Sequence, residues 1–211
     1  MSTDFHPFPK IPRWNREVVI TEKIDGTNAS IIIKKEAATE AVPFEHWTIQ
    51  AAARNGIISQ QRDNHGFAKW VSENAAELIA QLGEGHHFGE WMGQGINRNY
   101  GLKQKHFVLF NIKKHAHLSC FIDESNPQLL YRIPAMYTTL ANDVGAVTQI
   151  ALNELKTNGS KLVPSYMNPE GVVLYHSTAN KLFKVTLEND EQAKGQTQQQ
   201  TETRSQMTGS T

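Results

Sequence analysis

We predict an α+β domain, and three features of the sequence support this fold class. Short apolar runs end at turn residues, as residues 18–21 do before Asp25-Gly26, which is typical of strands joined by tight turns. Two longer stretches, 67–82 and 146–155, repeat apolar residues at helical spacing. The chain has 211 residues, of which 39% are hydrophobic, enough for one substantial core.

The N-terminal part is predicted to consist of an arm followed by strands. Prolines interrupt residues 1–17, so we expect an extended arm packed on the body. Strands are expected over residues 18–21 and 29–33, joined as a hairpin, and over residues 47–53. The helix over 67–82 follows.

The middle of the chain contains a loop with a composition suited to ligand binding. Gly83 is expected to end the first helix as a C-terminal cap. Strands are then predicted over 86–92 and 107–112, on either side of a loop over 93–101. The Gly and Asn residues of this loop allow backbone to approach a ligand closely.

The C-terminal part is predicted to add a helix and further strands. A peripheral hairpin is expected from residues 118–122 and 129–131, before the second helix over 146–155. The last strands are expected over 171–175 and 181–185, joined by a polar turn.

The composition of the sequence indicates which parts are ordered, which partners are expected and in which compartment the protein is found. Residues 189–211 are polar, with almost nothing to bury, and are predicted to be disordered. Basic and acidic residues balance at 21 each, so nucleic acid would need a local basic face. Cys120, the single cysteine, fits a reducing compartment. No run approaches the roughly 20 apolar residues of a membrane span, and the N-terminus lacks the pattern of a secretory signal, so we expect a cytoplasmic protein.

Lys23 is the strongest candidate for chemistry. It stands at the end of an apolar run and before a turn, where rigid backbone would position it and partly remove it from water. Asp25 lies two residues away. This combination suits a nucleophilic amine. The alternative is an ordinary hairpin with a solvated lysine.

The stretch Lys23-Ile24-Asp25-Gly26 resembles the Lys-x-Asp-Gly nucleotidyl-acceptor motif of the covalent nucleotidyltransferase superfamily, which comprises DNA ligases, RNA ligases and mRNA capping enzymes. With Thr27-Asn28 appended, it is most similar to the phage-type ATP-dependent RNA ligases. The resemblance implies that Lys23 is the nucleophile, that Asp25 acts with it in catalysis, and that Glu22 and Gly26 help bind the nucleotide.

Three further stretches resemble motifs of the same superfamily in the same order. Arg54 stands where these enzymes place an arginine that contacts ribose or phosphate, and Glu90 in Phe88-Gly89-Glu90-Trp91 would accept a hydrogen bond from a ribose hydroxyl. Phe110 would stack on the adenine. Asn111 replaces the family's usual aspartate, which puts a charge-based role there in doubt. The alternatives are a turn arginine, an exposed strand glutamate and a core phenylalanine.

Two later stretches complete the set. Glu170, before the apolar strand at 171–175, resembles the Glu-Gly-aliphatic motif and would hold a hydrated divalent cation, Mg²⁺ or Mn²⁺. Lys184 resembles the lysine that binds the α-phosphate. Thr186 replaces a usual second lysine, and Lys181 is a candidate to supply the missing contact.

The resemblance, over about residues 18–188, implies an α+β nucleotidyltransferase domain in which antiparallel sheets flank a nucleotide pocket. It implies that ATP forms a lysyl-AMP on Lys23, that AMP passes to an RNA 5′-phosphate, and that a 3′-hydroxyl then displaces AMP. No accessory domain is evident after Lys184. A protein partner is therefore expected if binding of the RNA strands needs more surface than this domain provides.

Three alternatives stay open at this point. A capping-type guanylyltransferase would use GTP, and a DNA ligase would seal DNA. A non-catalytic RNA-binding module could keep the same fold, although binding alone does not need both a nucleophile and a metal carboxylate.

Overall fold

The computed structural model describes residues 7–38 and 46–188. Its strands are β1 (Glu17–Lys23), β2 (Thr27–Glu36), β3 (His46–Ala53), β4 (Gly56–Ile58), β5 (Gly85–Gly93), β6 (Lys105–Leu109), β7 (Leu130–Arg132), β8 (Ala135–Leu140), β9 (Gly171–His176) and β10 (Lys181–Thr186). Its helices are α1 (Phe67–Glu73), α2 (Ala75–Leu82) and α3 (Val144–Asn158), the last preceded by a 3-10 turn. The predicted α+β class is confirmed. Within the described ranges, no helix has the length and apolar character needed to cross a membrane.

Strand β1 lies inside a four-stranded antiparallel sheet with the order β10-β9-β1-β8. Because side chains alternate along a strand, Val18, Ile20 and Glu22 face one side of this sheet, while Thr21 and Lys23 face the other. The first side packs against α3 and forms a buried apolar cluster. Lys23 therefore points away from the core that α3 covers.

The second sheet has six strands in the order β4-β3-β2-β5-β6-β7, all antiparallel except the parallel pair β6 and β7. Helices α1 and α2 cover one face. Phe67 of α1 and Leu78 of α2 are completely buried against Ile31 and Phe107 of the sheet. Among the described residues, no helix covers the opposite face of this sheet.

A third buried cluster joins the two sheets. It includes Ile24, from the connection between β1 and β2, and Met92 and Val108, from the face of the six-stranded sheet that α1 and α2 do not cover. Leu162, from the segment after α3, completes the contact. The segment that follows Lys23 is thus anchored in apolar packing.

The predicted hairpin of β1 and β2 is wrong. Strand β1 uses both of its edges to pair with β8 and β9, and β2 uses both of its edges to pair with β3 and β5. The Asp25-Gly26 dipeptide instead carries the chain from one sheet to the other. Lys23 therefore lies at the crossing point between the sheets.

The predicted peripheral hairpin is also wrong. Residues 118–122 form no strand, and Leu130–Arg132 pairs in parallel with β6. The backbone N–H of Ile122 donates to the carbonyl of Leu162 at 2.7 Å, so this segment bonds to the chain after α3. The strands β4 and β8 were not predicted, because β4 is three residues long and β8 has no clear apolar alternation.

The predicted helix over 67–82 is two helices. At Asn74 the backbone leaves the helical region (φ −111°, ψ 17°), and both its N–H and its side-chain amide donate to the carbonyl of Trp70. An asparagine side chain that competes for backbone acceptors in this way interrupts a helix. The predicted stop at Gly83 is confirmed. Helix α3 is longer than the predicted 146–155, since it runs from Val144 to Asn158 with Gly159 as its C-terminal cap.

The N-terminal arm is less packed than predicted. Residues 7–13 form no helix or strand, and Phe8 and Ile11 are at least 80% exposed. Trp14 makes the contact with the body, since its carbonyl bonds to His176 at 2.8 Å. The predictions for residues 1–6 and for the tail 189–211 lie outside the described residues.

Candidate active site

Lys23 and Glu170 meet at the end of β1. Lys23 is paired in register with Gly171, the first residue of β9, which brings the preceding Glu170 beside it. The Lys23 Nζ donates to Glu170 Oε2 at 2.5 Å, and the two side chains are 19% and 6% exposed. The structure thus brings together the predicted nucleophile and the predicted metal carboxylate.

Glu90 is held against the turn that follows Lys23. The backbone N–H of Gly26 donates to Glu90 Oε1 at 3.1 Å. A Cβ at Gly26 would lie 2.5 Å from the carbonyl oxygen of Trp91 and 2.8 Å from Glu90 Cγ, so the approach requires glycine. Gly26 therefore sets the distance between the Lys23 segment and β5.

Burial raises the pKa of Glu90 from 4.5 to about 7. The nearby Lys23 charge and the Gly26 N–H oppose this rise, while the carboxylates of Glu170 and Asp25 add to it. Three acidic side chains are therefore close enough to influence one another around one lysine.

Asp25 is held by residues of the 93–101 loop. Its N–H donates to Tyr100 Oη at 2.9 Å, and its Oδ1 accepts from Asn97 Nδ2 at 3.0 Å. Arg98 Nε lies 3.2 Å from Asp25 Oδ2 as an ion pair. The loop was predicted to approach a ligand, but its hydrogen bonds and ion pair with Asp25 were not predicted.

Lys184 and Thr186 lie on the same face of the four-stranded sheet as Lys23. Thr186 is in register with Gly171, the partner of Lys23, and Lys184 is in register with Val173, the partner of Thr21. Residues directly opposite on antiparallel strands share a face. Lys184 is exposed, which is compatible with the predicted contact to a phosphate.

The suggestion that Lys181 replaces the missing second lysine is wrong. Lys181 pairs with His176, which pairs with Val18, and this row belongs to the face that α3 covers. Lys181 therefore points away from Lys23. Thr186 occupies the position on the Lys23 face.

Glu22 does not share a face with Lys23. It is fully buried on the opposite side of β1, and its Oε2 accepts from the backbone N–H groups of Lys161 and Leu162 at 2.8 and 3.0 Å. Burial raises the pKa of this carboxyl, and the two N–H donors oppose the rise. Its side chain supports the loop after α3, on the side away from the nucleophile.

Phe110 and Glu90 share the face of the six-stranded sheet that α1 and α2 leave uncovered. Glu90 is in register with Val108, and Phe110 follows two residues later, with its N–H bonded to the carbonyl of Phe88 at 3.0 Å. Phe110 is 39% exposed, so it is available to stack on a base. Phe88 is a second exposed ring on this face.

Arg54 lies in the turn between β3 and β4 and is exposed. Ala53 pairs with Ala29, and the neighbouring Asn28 pairs with Glu90. Arg54 is thus at the same end of the sheet as Glu90.

The acidic groups suit a cation that keeps its water. In the parts of the chain that the structure describes, no three His, Cys, Asp or Glu side chains are arranged to hold a metal ion directly. Mg²⁺ commonly keeps several waters and takes only about one or two protein carboxylates. Glu170 with Asp25 and Glu90 nearby fits such a hydrated ion.

Comparison with solved structures identifies the fold as that of RNA ligases. A variant of the RNA ligase of Naegleria gruberi, determined with ATP and Mn, matches with a TM-score of 0.52 and 17% identity, over 82% of this chain and 49% of that one. An archaeal ATP-dependent RNA ligase matches with a TM-score of 0.51 and 16% identity, over 86% and 48%. The chain thus spans about half the length of these structures.

The family model for RNA ligase matches residues 16–186. This range contains every residue assigned to the site, and the chain belongs to the RNA ligase family. A comparison with curated protein sequences gave no match.

Proposed function

We propose that the chain catalyses ATP-dependent joining of RNA ends through a lysyl-AMP intermediate on Lys23. The observation that carries the proposal is the Lys23 Nζ, fixed 2.5 Å from Glu170 Oε2 where two sheets meet. Glu90 and Lys184 flank it on the exposed sheet faces. A binding module has no use for a rigidly placed amine among three acidic groups.

In the first step, the Lys23 ammonium group releases a proton to solvent, and the resulting amine attacks the α-phosphorus of ATP. A P–N bond forms, the bond from the α-phosphorus to the bridging oxygen breaks, and pyrophosphate leaves. Lys184 offsets the negative charge on the α-phosphate as it reacts. Glu90 accepts a hydrogen bond from a ribose hydroxyl, Phe110 stacks on the adenine and Arg54 contacts ribose or phosphate.

Glu170 is the residue that would hold a hydrated Mg²⁺ or Mn²⁺. When bound, the ion would offset phosphate charge and the charge of Glu170. Glu22 supports this arrangement from beneath, because its buried carboxylate fixes residues 161 and 162 against the end of β1.

In the later steps, AMP passes from Lys23 to the 5′-phosphate of one RNA end, and a 3′-hydroxyl displaces AMP to form the phosphodiester. The RNA substrate follows from membership of the RNA ligase family. The proposal also includes a protein partner that adds surface for binding the RNA strands. It further includes a cytoplasmic location, with which the single Cys120 is consistent.

Incubation with α-labelled ATP and a divalent cation, followed by denaturation, tests the first step. Label is expected on the wild-type chain, and mass spectrometry is expected to find AMP on Lys23. Lys23→Ala and Lys23→Arg are expected to carry none, because a guanidinium stays protonated and is not a nucleophile. Lys69→Ala, an exposed lysine on α1, is the matched control and is expected to label normally.

The outcomes separate the alternatives. Labelling by GTP in preference to ATP would make the chain a guanylyltransferase, and sealing of DNA nicks in preference to RNA nicks would make it a DNA ligase. Label that persists on Lys23→Ala would overturn the nucleophile. Folded protein that labels with neither nucleotide would favour the binding module.

A further inference from the structure

The loop between β5 and β6 is built around two buried anchors. Ile96 and Tyr100 are 1% and 2% exposed, and the Ile96 N–H bonds to the carbonyl of Gly93 at 3.0 Å. Asn97 and Arg98 lie between the anchors. The loop is therefore fixed at both ends by packing, so its two central polar side chains are held in place.

Three residues of this loop adopt left-handed backbone without being glycine. The φ angles of Asn97, Asn99 and Tyr100 are 42°, 61° and 57°. Asparagine tolerates this region, but a bulky tyrosine adopts it rarely. Such conformations persist when surrounding contacts impose them, and they concentrate at functional sites. Here the result is that Tyr100 presents its hydroxyl to the N–H of Asp25.

Asn97 and Arg98 hold Asp25 and Gly26 from the side. Asn97 Nδ2 donates to Asp25 Oδ1 at 3.0 Å and to the carbonyl of Gly26 at 2.6 Å, while Arg98 pairs with Asp25 Oδ2. With Tyr100, the loop occupies both carboxylate oxygens and the N–H of Asp25. Asp25 is two residues from Lys23, so these contacts hold the segment that carries the proposed nucleophile.

Arg98 also holds the segment that carries the opposing carboxylate. Its Nη1 donates to the carbonyl of Asn168 at 3.1 Å, and Asn168 lies two residues before Glu170. One guanidinium therefore spans the two segments whose side chains form the Lys23 and Glu170 ion pair. A guanidinium is rigid, planar and carries several N–H donors, so an arginine can contact both segments at once better than a lysine can.

We propose that Arg98, with Asn97, is a positioning residue that sets the place of Lys23 relative to Glu170 for attack on the α-phosphorus. This inference rests on the proposed function, since it concerns the first step of that reaction. Its distinctive consequence is selectivity between steps. The step that seals pre-adenylylated RNA does not use the Lys23 amine, so it depends less on this bridge.

The experiment compares Arg98→Ala and Arg98→Lys in the full chain, with Gln94→Ala, an exposed residue of the same loop, as the control. Arg98→Ala is expected to lower the rate of lysyl-AMP formation at saturating ATP about 30- to 100-fold, because displacement of about 1 Å can cost 100-fold. The half-saturating ATP concentration is expected to change less than about three-fold. Sealing of pre-adenylylated RNA is expected to fall less than about three-fold, and Arg98→Lys to be intermediate in the first step.

Hydrogen exchange supplies a readout that is independent of activity. Protection of the amides of residues 24–26 is expected to fall in Arg98→Ala and to stay unchanged in Gln94→Ala. An equal loss in both chemical steps would show a merely structural role. A first step that stays at the wild-type rate, or unchanged protection, would overturn the inference while leaving the nucleophile intact. Absence of label on wild type would instead reject the proposed function.

Discussion

The ion pair of Lys23 and Glu170 is the contact on which the proposed chemistry depends. The amine is one-fifth exposed and the carboxylate is buried, so the charge of each is compensated mainly by the other and by nearby polar groups. An arrangement of this kind holds the amine in one place before the nucleotide arrives. In the proposed reaction, the carboxylate would be the point at which a cation competes with the amine.

Glu170→Gln keeps the shape of the side chain and removes its charge. Adenylylation of Lys23 is expected to fall about 100-fold, the scale of a lost electrostatic contact in a preorganised site. The measurement is the labelling rate across a titration of Mg²⁺, with circular dichroism to establish folding. Glu73→Gln, an exposed carboxylate on α1, is the control, and undiminished labelling in Glu170→Gln would reject the metal assignment.

Glu90 makes the stability of the protein depend on pH. Its pKa of about 7 exceeds the ordinary 4.5, so the folded state keeps a proton that the unfolded state releases as pH rises through this window. The free energy of unfolding therefore decreases from pH 4.5 to 7. Relative to Glu90→Gln, the wild type is expected to lose about 2 kcal/mol over this window, at 1.4 kcal/mol per pKa unit less an allowance for partial exposure. Urea unfolding of both proteins at pH 5 and pH 8 measures it, and parallel curves would contradict it.

The alternation of side chains between the two faces of a strand could have predicted the correct face for Glu22. Adjacent residues in β1 must point to opposite faces, so a nucleophilic Lys23 excludes a pocket role for the Glu22 side chain. Lys23, Glu90 and Glu170 could be predicted because each stands in a recognisable local pattern. The contact of Arg98 with Asn168 could not, because the two residues are 70 positions apart and no local pattern links them.

The connection from β1 to β2 shows why a turn dipeptide does not establish a hairpin. Asp25-Gly26 is a strong turn signal in the sequence, but neither flanking strand has a free edge for the other. Pairing is decided by strands that lie far away in sequence, which local propensity does not describe. The hairpin of β9 and β10 was predicted correctly because both strands and their turn are local.

Position 171, at the start of β9, requires glycine because the backbone of β10 lies very close to it. Its φ is 151°, and an added Cβ would collide with the carbonyl oxygen of Val185 on β10. Gly171→Ala is expected to destabilise the protein by about 2–4 kcal/mol and to lower labelling of Lys23, since Glu170 and Lys184 lie on either side of this contact. Thermal and urea unfolding measure the first effect.

Gly145 in α3 provides the matched control. A Cβ there meets open space, and alanine favours a helix, so Gly145→Ala is expected to stabilise by about 0.5–1 kcal/mol. Equal effects of the two substitutions would mean that the close approach at Gly171 is not what requires glycine.

At the scale of the whole molecule, three buried clusters hold two sheets and three helices together in the part of the chain that the structure describes. The helices cover the outer faces, and the cluster around Ile24 joins the sheets. The uncovered faces carry Lys184 and Phe110. The site is therefore a product of how the sheets are assembled, and no single element contains it.

Removal of residues 189–211 is expected to leave the melting temperature within about 2 °C, because Ala193 and Met207 are the only apolar side chains there and cannot offset the entropy of ordering. Calorimetry of the full chain and of a chain ending at Glu188 is the comparison. A larger decrease would show that the segment packs on the domain. Loss of sealing with adenylylation retained would show that it helps to bind RNA.

The pairing of β1 with β8 and β9 has a consequence for the order of biosynthesis. Lys23 is synthesised 147 residues before its partner Glu170, and β9 must exist before one of the two edges of β1 is covered. A ribosome that adds about 5–20 residues per second needs roughly 7–30 s to cross this gap. During that interval the growing chain carries an amine without its carboxylate. The pair of Lys23 and Glu170 therefore forms only after β9 has been synthesised.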